Sequence, residues 1–322
     1  MLRCASRQPA KNAKLIVEQG LSRLGYTPTT PVLDAFGVRV SGEMSVIPAR
    51  ELPAPKVTYG RGSLQVKGGS WNLRDVKFHR GAKAPNWVVL VVNDGVADLS
   101  FENKTDPKLV TFLDAFAKKC NSIGMDLALK PSLILATGDL SQIEDQKRRP
   151  AAIATISNTI ARIQNMKKVN FVLVLLQAQE DFLYPAIKRL CAVDLGVHSQ
   201  CLWLRRALDE GGREQYLANV ALKLNTKLGG INHLLEKNAT TWLTGKSTIL
   251  IGIDVTHPNP KSVKGTPSIV GVVGSVDSDF VQFPASLRLQ KSKREVREVA
   301  DRSYFLDSHN CFRLSETPSS EI

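Results

Sequence analysis

The chain has 322 residues, 43% of them hydrophobic, enough to bury a sizeable core in one or two domains. No apolar run approaches the ~20 residues that a bilayer-spanning helix needs. Lys and Arg number 43 against 30 Asp and Glu, a formal charge of +13, which favours a polyanionic partner without choosing between nucleic acid and a membrane surface. Five cysteines (Cys4, Cys120, Cys191, Cys201, Cys311) are odd in number and scattered, with no CxxC pair. They read as reduced thiols of an intracellular protein and not as a zinc site.

Residues 1–60 read as a linker. The opening MLRCASRQPAKNAKL is basic and acid-free, so a transit peptide is one reading of it. A short helix over about 10–21 is followed by an irregular segment with Pro28, Pro31, Pro48, Pro53 and Pro55. Brief alternation in FGVRVSGEMSVIPA (36–49) predicts a strand or two there.

From Trp87 buried strands alternate with amphipathic helices. WVVLVVN (87–93) is a strand, and DPKLVTFLDAFAKKCNSIG (106–124) a helix with Asp106 as N-cap, Pro107 at its first position and Gly124 as its stop. A strand near LILA (133–136), a helix over 150–165 and the wholly apolar strand NFVLVLL (170–176) follow. QAQEDFLYPAIKRL (177–190) is a polar loop running into a short helix. Pro185 disfavours helical geometry at Tyr184, which places Tyr184 at the helix mouth and Lys188 in the first turn. HSQCLWL (198–204) is another strand with Gln200 near its mouth. EQYLANVALKLNTKLGG (214–230) is a helix whose Lys223 and Lys227 flank the stripe Leu217, Val220, Ala221, Leu224 and Leu228. Such alternation predicts a parallel sheet with helices on both faces and ligands at the strands' C-terminal ends.

A second domain begins near Thr248. STILIGID (247–254) reads as a buried strand ending on Asp254, SIVGVVGSV (268–276) and FVQFPASLRLQ (280–290) as a hairpin, and KREVREVA (293–300) as a helix start. Two familiar phosphate motifs fail. GKST (245–248) lacks the first glycine of a phosphate loop, since Thr240 stands there, and it leads into a strand. NDGVADL (93–99), after the first strand, has no GxGxxG, so a dinucleotide fold has no support beyond the sheet. On pattern alone, Asp254 at a strand end reads as a turn-forming residue more readily than as a metal carboxylate.

The order Tyr184-x3-Lys188, Gln200-Cys201, Lys223-x3-Lys227-Leu-Gly-Gly and IGIDVTHP (251–258) resembles the Argonaute family. ELPAPKVTYG (51–60), GSWNLRDVKFHRG (69–81) and PSIVGVVGSVD (267–277) extend the resemblance, and RQPAKNAKLIVEQGL is similar to the fungal-type linker after the PAZ domain. The resemblance implies an α/β chain with a post-PAZ linker (1–60), a Rossmann-like MID domain (61–245), the incomplete start of an RNase H-like PIWI domain (246–300) and an unpatterned tail (301–322). It implies that Lys188, Gln200, Lys223 and Lys227 bind the 5′-phosphate of a small guide RNA while Tyr184 stacks on its first base. The loop Gln177–Leu183 would face that base's edge, and it departs from the family's usual Pro/Gly-containing loop.

The resemblance further makes Asp254 the first metal-binding carboxylate, for Mg²⁺, and aligns Glu295 with the second catalytic residue, although KREVRE also reads as a solvated helix start. The third and fourth members of the family's set fall beyond the matching region, and Asp301, Asp307 and His309 in the tail are not expected to replace them. The expectation is a non-enzymatic module that binds the guide's 5′ end, in RNA silencing and in the cytoplasm. No membrane or DNA-sequence specificity is expected, and target RNA is a partner only in the full-length family. A slicing endoribonuclease from a longer gene product, or a truncated product without function, are the alternatives.

Overall fold

The computed structural model describes residues 6–26, 30–73, 75–94, 101–140, 146–163, 166, 168–177, 182–259, 262, 264–292 and the short segments 305–306 and 311–312. Two compact units divide between Pro53 and Ala54. In the first, helix α1 (Pro9–Leu15) continues through a π turn (Ile16–Gly20) to Arg23, and α2 spans Pro31–Ala35. Each begins on proline, whose missing N–H costs nothing at a first helical position. The alternation in 36–49 forms no strand: these residues are extended or turned, with Val46 96% exposed. A strand exists only where another backbone completes its ladder, and none does here.

The second unit opens with β1 (Lys56–Thr58) and β2 (Ser63–Gln65), an antiparallel pair. In chain order follow β3 (Lys83–Ala84), β4 (Trp87–Asn93), α3 (Pro107–Ser122), β5 (Asp126–Leu127), β6 (Leu133–Asp139), α4 (Arg149–Ala161) and β7 (Phe171–Leu176). Then come α5 (Leu183–Arg189, prolonged by a π turn to Asp194), β8 (His198–Trp203), α6 (Leu204–Ala207), α7 (Arg213–Lys227), β9 (Leu234–Leu235) and α8 (Lys237–Thr244).

The central sheet runs β6-β4-β7-β8, every pair parallel. Strand β7 has neighbours on both sides and helices on both faces, so all six of its residues are buried. That is why it reads as an uninterrupted apolar run rather than an alternating one. Strand alternation divides the core in two. Trp87, Val89, Val91, Phe171, Leu173 and Leu175 pack with Phe112 and Phe116 of α3 and Leu217 and Leu224 of α7. Val88, Leu90, Val92, Val172 and Val174 pack with Ile156 and Ile160 of α4 and Leu183 and Ile187 of α5. The architecture is the expected Rossmann-like one.

The capping of α3 follows the sequence closely. Asp106 accepts the Lys108 N–H at 2.8 Å and the Glu102 N–H at 3.0 Å, and Gly124 ends the segment at φ +103°. Those bonds, the one from Glu102 foremost, hold the Asp106 carboxyl below its usual range. At the far end of α7, Asn225 is fully buried and accepts the Ala82 N–H at 2.7 Å while donating to Asn232 Oδ1 at 2.9 Å. Gly230 passes so close that a Cβ there would lie 2.3 Å from Asn225 Oδ1.

Strands β10 (Ile251–Thr256), β11 (Ser268–Gly274) and β12 (Ala285–Gln290) form an antiparallel meander, the opening of the RNase H-like part. Two expectations change here. Asp254 lies inside β10, opposite Gly271, instead of ending the strand, because antiparallel pairing with β11 carries the ladder on to Thr256. Nor is β10 buried: Ile251 is 60% and Ile253 54% exposed, since no described element covers that stretch. Residues 293–300, with the expected helix start, lie outside the described residues.

Candidate guide-end site

Strand β8 is the outer strand of the parallel sheet. Helix α5 lies on one face of that sheet and α7 on the other, and each overhangs the edge with a lysine. Lys188 donates to the Ser199 carbonyl oxygen at 2.8 Å and to Ser199 Oγ at 3.0 Å. Lys227 donates to the same carbonyl at 3.0 Å and to Gln200 Oε1 at 2.8 Å. Successive strand side chains point to opposite faces, so Ser199 serves the lysine on one side and Gln200 the lysine on the other. One strand edge thereby gathers two cations that are 39 positions apart in the sequence.

The two ammonium groups repel each other and are partly withdrawn from water. Burial first, then the Lys188 charge, pulls the Lys227 pKa down to about 8. Lys223, one turn earlier on α7, is exposed and adds a smaller push in the same direction. Gln200 is 5% exposed, with its amide N–H₂ donating to the Cys201 carbonyl at 3.1 Å. Tyr184 is 45% exposed, and the Lys188 ammonium lies 5.7 Å from its ring centroid. A half-exposed aromatic beside clustered cations can stack a base while the cations hold an attached phosphate.

The sequence expectation differs from this geometry in two respects. Gln200 is the third residue of β8, paired with Leu173, and does not sit at a strand's C-terminal end. Helix α5 also begins at Leu183, so Tyr184 is helical and Lys188 lies in the second turn. Pro185 is tolerated because the first-turn N–H groups have no intrahelical partner to lose. Ser199 is the member that sequence reading missed; a serine before the Gln-Cys pair carries no signal until the strand edge is known.

Cys120, Cys191 and Cys201 are unpaired thiols. Burial pushes Cys120 up to about 12 and Cys191 up to about 11. Burial also raises Cys201, while the Lys188 and Lys227 charges oppose the rise.

The metal expectation fares differently. Asp254 is exposed, and its Oδ1 accepts only a hydrogen bond from its own neighbour, Val255 N–H, at 3.0 Å. Among the described residues no three His, Cys, Asp or Glu side chains stand close enough to hold an ion. Glu295, Asp301, Asp307 and His309 lie outside the described residues, as does most of the loop after β7 (178–181). Among the described residues, Asp254 by itself does not supply the near-octahedral oxygen donors that Mg²⁺ demands.

Three family profiles match: an Argonaute linker 2 domain over residues 11–59, the Mid domain of argonaute over 65–146, and a Piwi domain over 171–307. The last begins on β7, which is hydrogen-bonded to β4 in the same sheet. Among curated proteins, rice (Oryza sativa subsp. japonica) argonaute 1D is 30% identical over 85% of this chain and 25% of its own length. Rice argonaute 1B is 32% identical over 81% of this chain and 23% of its own. The chain thus spans about a quarter of these relatives. Among solved structures, the MID-PIWI domains of N. crassa QDE-2 match with TM-score 0.53 at 27% identity, covering 66% of this chain and 54% of that one. Drosophila Piwi matches in fold with TM-score 0.64 at 15% identity, covering 89% and 37%. These matches fall on plant, fungal and animal proteins alike and do not single out the fungal type. With linker 2, Mid and Piwi segments in sequence, the chain belongs to the Argonaute family.

Proposed function

We propose that the chain binds the 5′ end of a small guide RNA in RNA silencing, anchoring the phosphate with Lys188, Gln200, Lys223 and Lys227 and stacking the first base on Tyr184. The observation that carries this reading is the meeting of Lys188 and Lys227 on the Ser199 carbonyl. Two lysines held together in partial burial repel each other in the free protein. A phosphate carrying −1.5 to −2 charge relieves that repulsion and accepts from both. A generic basic surface spreads its cations and shows no preference for a terminal phosphate.

The test is a titration of one short RNA in two forms, 5′-phosphate and 5′-hydroxyl, at moderate salt. Tighter binding of the phosphorylated form is expected, with the difference surviving as salt suppresses the background attraction of the +13 chain. Equal affinities would refute the assignment.

A further inference from the structure

Strand β10 is an outer strand of the antiparallel meander, whose order is β10-β11-β12. Its neighbours fix which of its backbone groups face outward. The Leu250 carbonyl points inward and accepts the Ser275 N–H at 2.9 Å. Gly274, which stands opposite Ile251, instead sends its N–H away to the Pro284 carbonyl at 3.3 Å. Successive residues of an antiparallel pair alternate between bonding to the partner strand and turning away from it. Gly252, Asp254 and Thr256 therefore bond to β11, while Ile251, Ile253 and Val255 turn their N–H and C=O groups to the outer edge. No strand among the described residues pairs with that edge. The Val255 N–H is met there by its own neighbour, the Asp254 carboxylate, at 3.0 Å.

An edge of this kind is a template for another strand, and proteins commonly guard it with a lysine, a proline or a bulge. The edge of β8 has Lys188 and Lys227 over the Ser199 carbonyl. Strand β10 reads IGIDVT, with no cation, no proline and no register shift against β11. Ile251 and Ile253 are more than half exposed. At the opposite side of the meander the short strand Phe305–Leu306 lies next to β12. Among the described elements, β10 is the edge left for a partner.

The sequence of β10 selects what pairs with it. Consider a second β10 laid antiparallel about a two-fold axis at Ile253. Ile253 then meets its own copy and Ile251 meets Val255, apolar pairs on one face formed by the residues whose backbone groups point to the edge. Asp254 stands opposite Gly252. An axis one residue on, at Asp254, would set two carboxylates face to face, which like-charge repulsion disfavours. We propose that β10 is a self-recognition edge, through which two copies of the chain join by antiparallel pairing of Ile251–Thr256 about Ile253. Each copy spends the same edge on the other, so the assembly closes at the dimer.

The test is sedimentation velocity of the full chain over a concentration series. It is run without RNA, so its outcome does not depend on the guide-end reading. A reversible monomer–dimer equilibrium that ends at the dimer is expected. Ile253→Lys, which sets two cations together on the axis, should weaken the dimer at least tenfold, with an unchanged circular dichroism spectrum because the position is exposed. Ile253→Cys should form an intermolecular disulfide in oxidised glutathione, since directly paired Cα atoms stand about 5.5 Å apart, within disulfide reach. Ile251→Cys should not link to its own copy, which lies four residues away along the strand, about 14 Å. It should link to Val255→Cys when the two variants are mixed. Peptide mapping separates these bonds from any that the native cysteines make. A monomer at every concentration, open-ended aggregation without a dimer, a dimer that Ile253→Lys leaves intact, or self-linking of Ile251→Cys would each overturn the inference.

Discussion

Lys188 and Lys227 reach the Ser199 carbonyl oxygen from opposite faces of one sheet, at 2.8 and 3.0 Å. On the proposed function, this arrangement would make phosphate recognition depend on pH. Lys227 titrates near 8 in the free chain, and a bound phosphate favours its charged form. The advantage of 5′-phosphate over 5′-hydroxyl RNA should therefore be full at pH 7 and decline as pH rises through about 8. Calorimetry above pH 8, in buffers of different ionisation enthalpy, should show proton uptake on binding the phosphorylated form only. A flat pH profile from 7 to 9.5 would contradict it.

The same shift affects folding. Lys227 loses its proton in the folded state before it does so unfolded, so above about pH 8 the unfolded state binds more protons and stability rises with pH. The rise should end where an ordinary lysine titrates. Lys227→Met should lack this rise in urea titrations between pH 8 and 10, and it should lose the phosphate preference as well.

Side chains around the lysines should separate charge from stacking. Lys223→Ala should reduce the 5′-phosphate preference while leaving the melting temperature unchanged, because Lys223 is exposed. Tyr184→Ala should cost about 1–3 kcal/mol of binding for both RNA forms alike. If Tyr184→Ala removes the phosphate difference and spares hydroxyl RNA, its ring does not stack on the base.

Asn225 is a stability position next to the site. It is fully buried, and its amide ties α7 to Ala82 and Asn232. Asn225→Ala leaves a buried N–H unpaired and should cost about 2 kcal/mol or more in equilibrium unfolding. The conservative Asn225→Asp should not rescue it, since a carboxylate cannot donate to Asn232 Oδ1.

Thiol reactivity offers a check on the core. Cys120 and Cys191, raised by burial to about 12 and 11, should resist iodoacetamide at pH 7.5 until the chain unfolds. Peptide mapping that finds either one modified in the native state would contradict the packing of α3 and α5.

Much of the fold was legible because its strands and helices declare their own period. Strand β4 and the cap, stripe and stop of α3 follow directly from residues 87–124. The stretch 36–49 misled because alternation specifies a strand's faces but not its neighbour. Asp254 was misplaced within its strand because pairing with β11, not local sequence, decides where β10 ends. At the site, the residues were legible only through family resemblance. Flank lysines on two helices look like ordinary solvated charges until a sheet edge is placed between them. The loop rule for parallel sheets pointed to the strand ends and away from the edge where the lysines meet.

The edge position has one more consequence. An outer β-strand with an accessible carbonyl invites another chain to add to the sheet, and lysines along such an edge are a common guard. Lys188 and Lys227 cap the Ser199 carbonyl from both sides, so an incoming strand would have to displace two hydrogen-bonded cations to pair there. On the proposed function, anchoring a nucleic acid and keeping copies of the chain from joining strand to strand would fall to the same pair of side chains. Losing both lysines would turn a binding defect into an assembly defect.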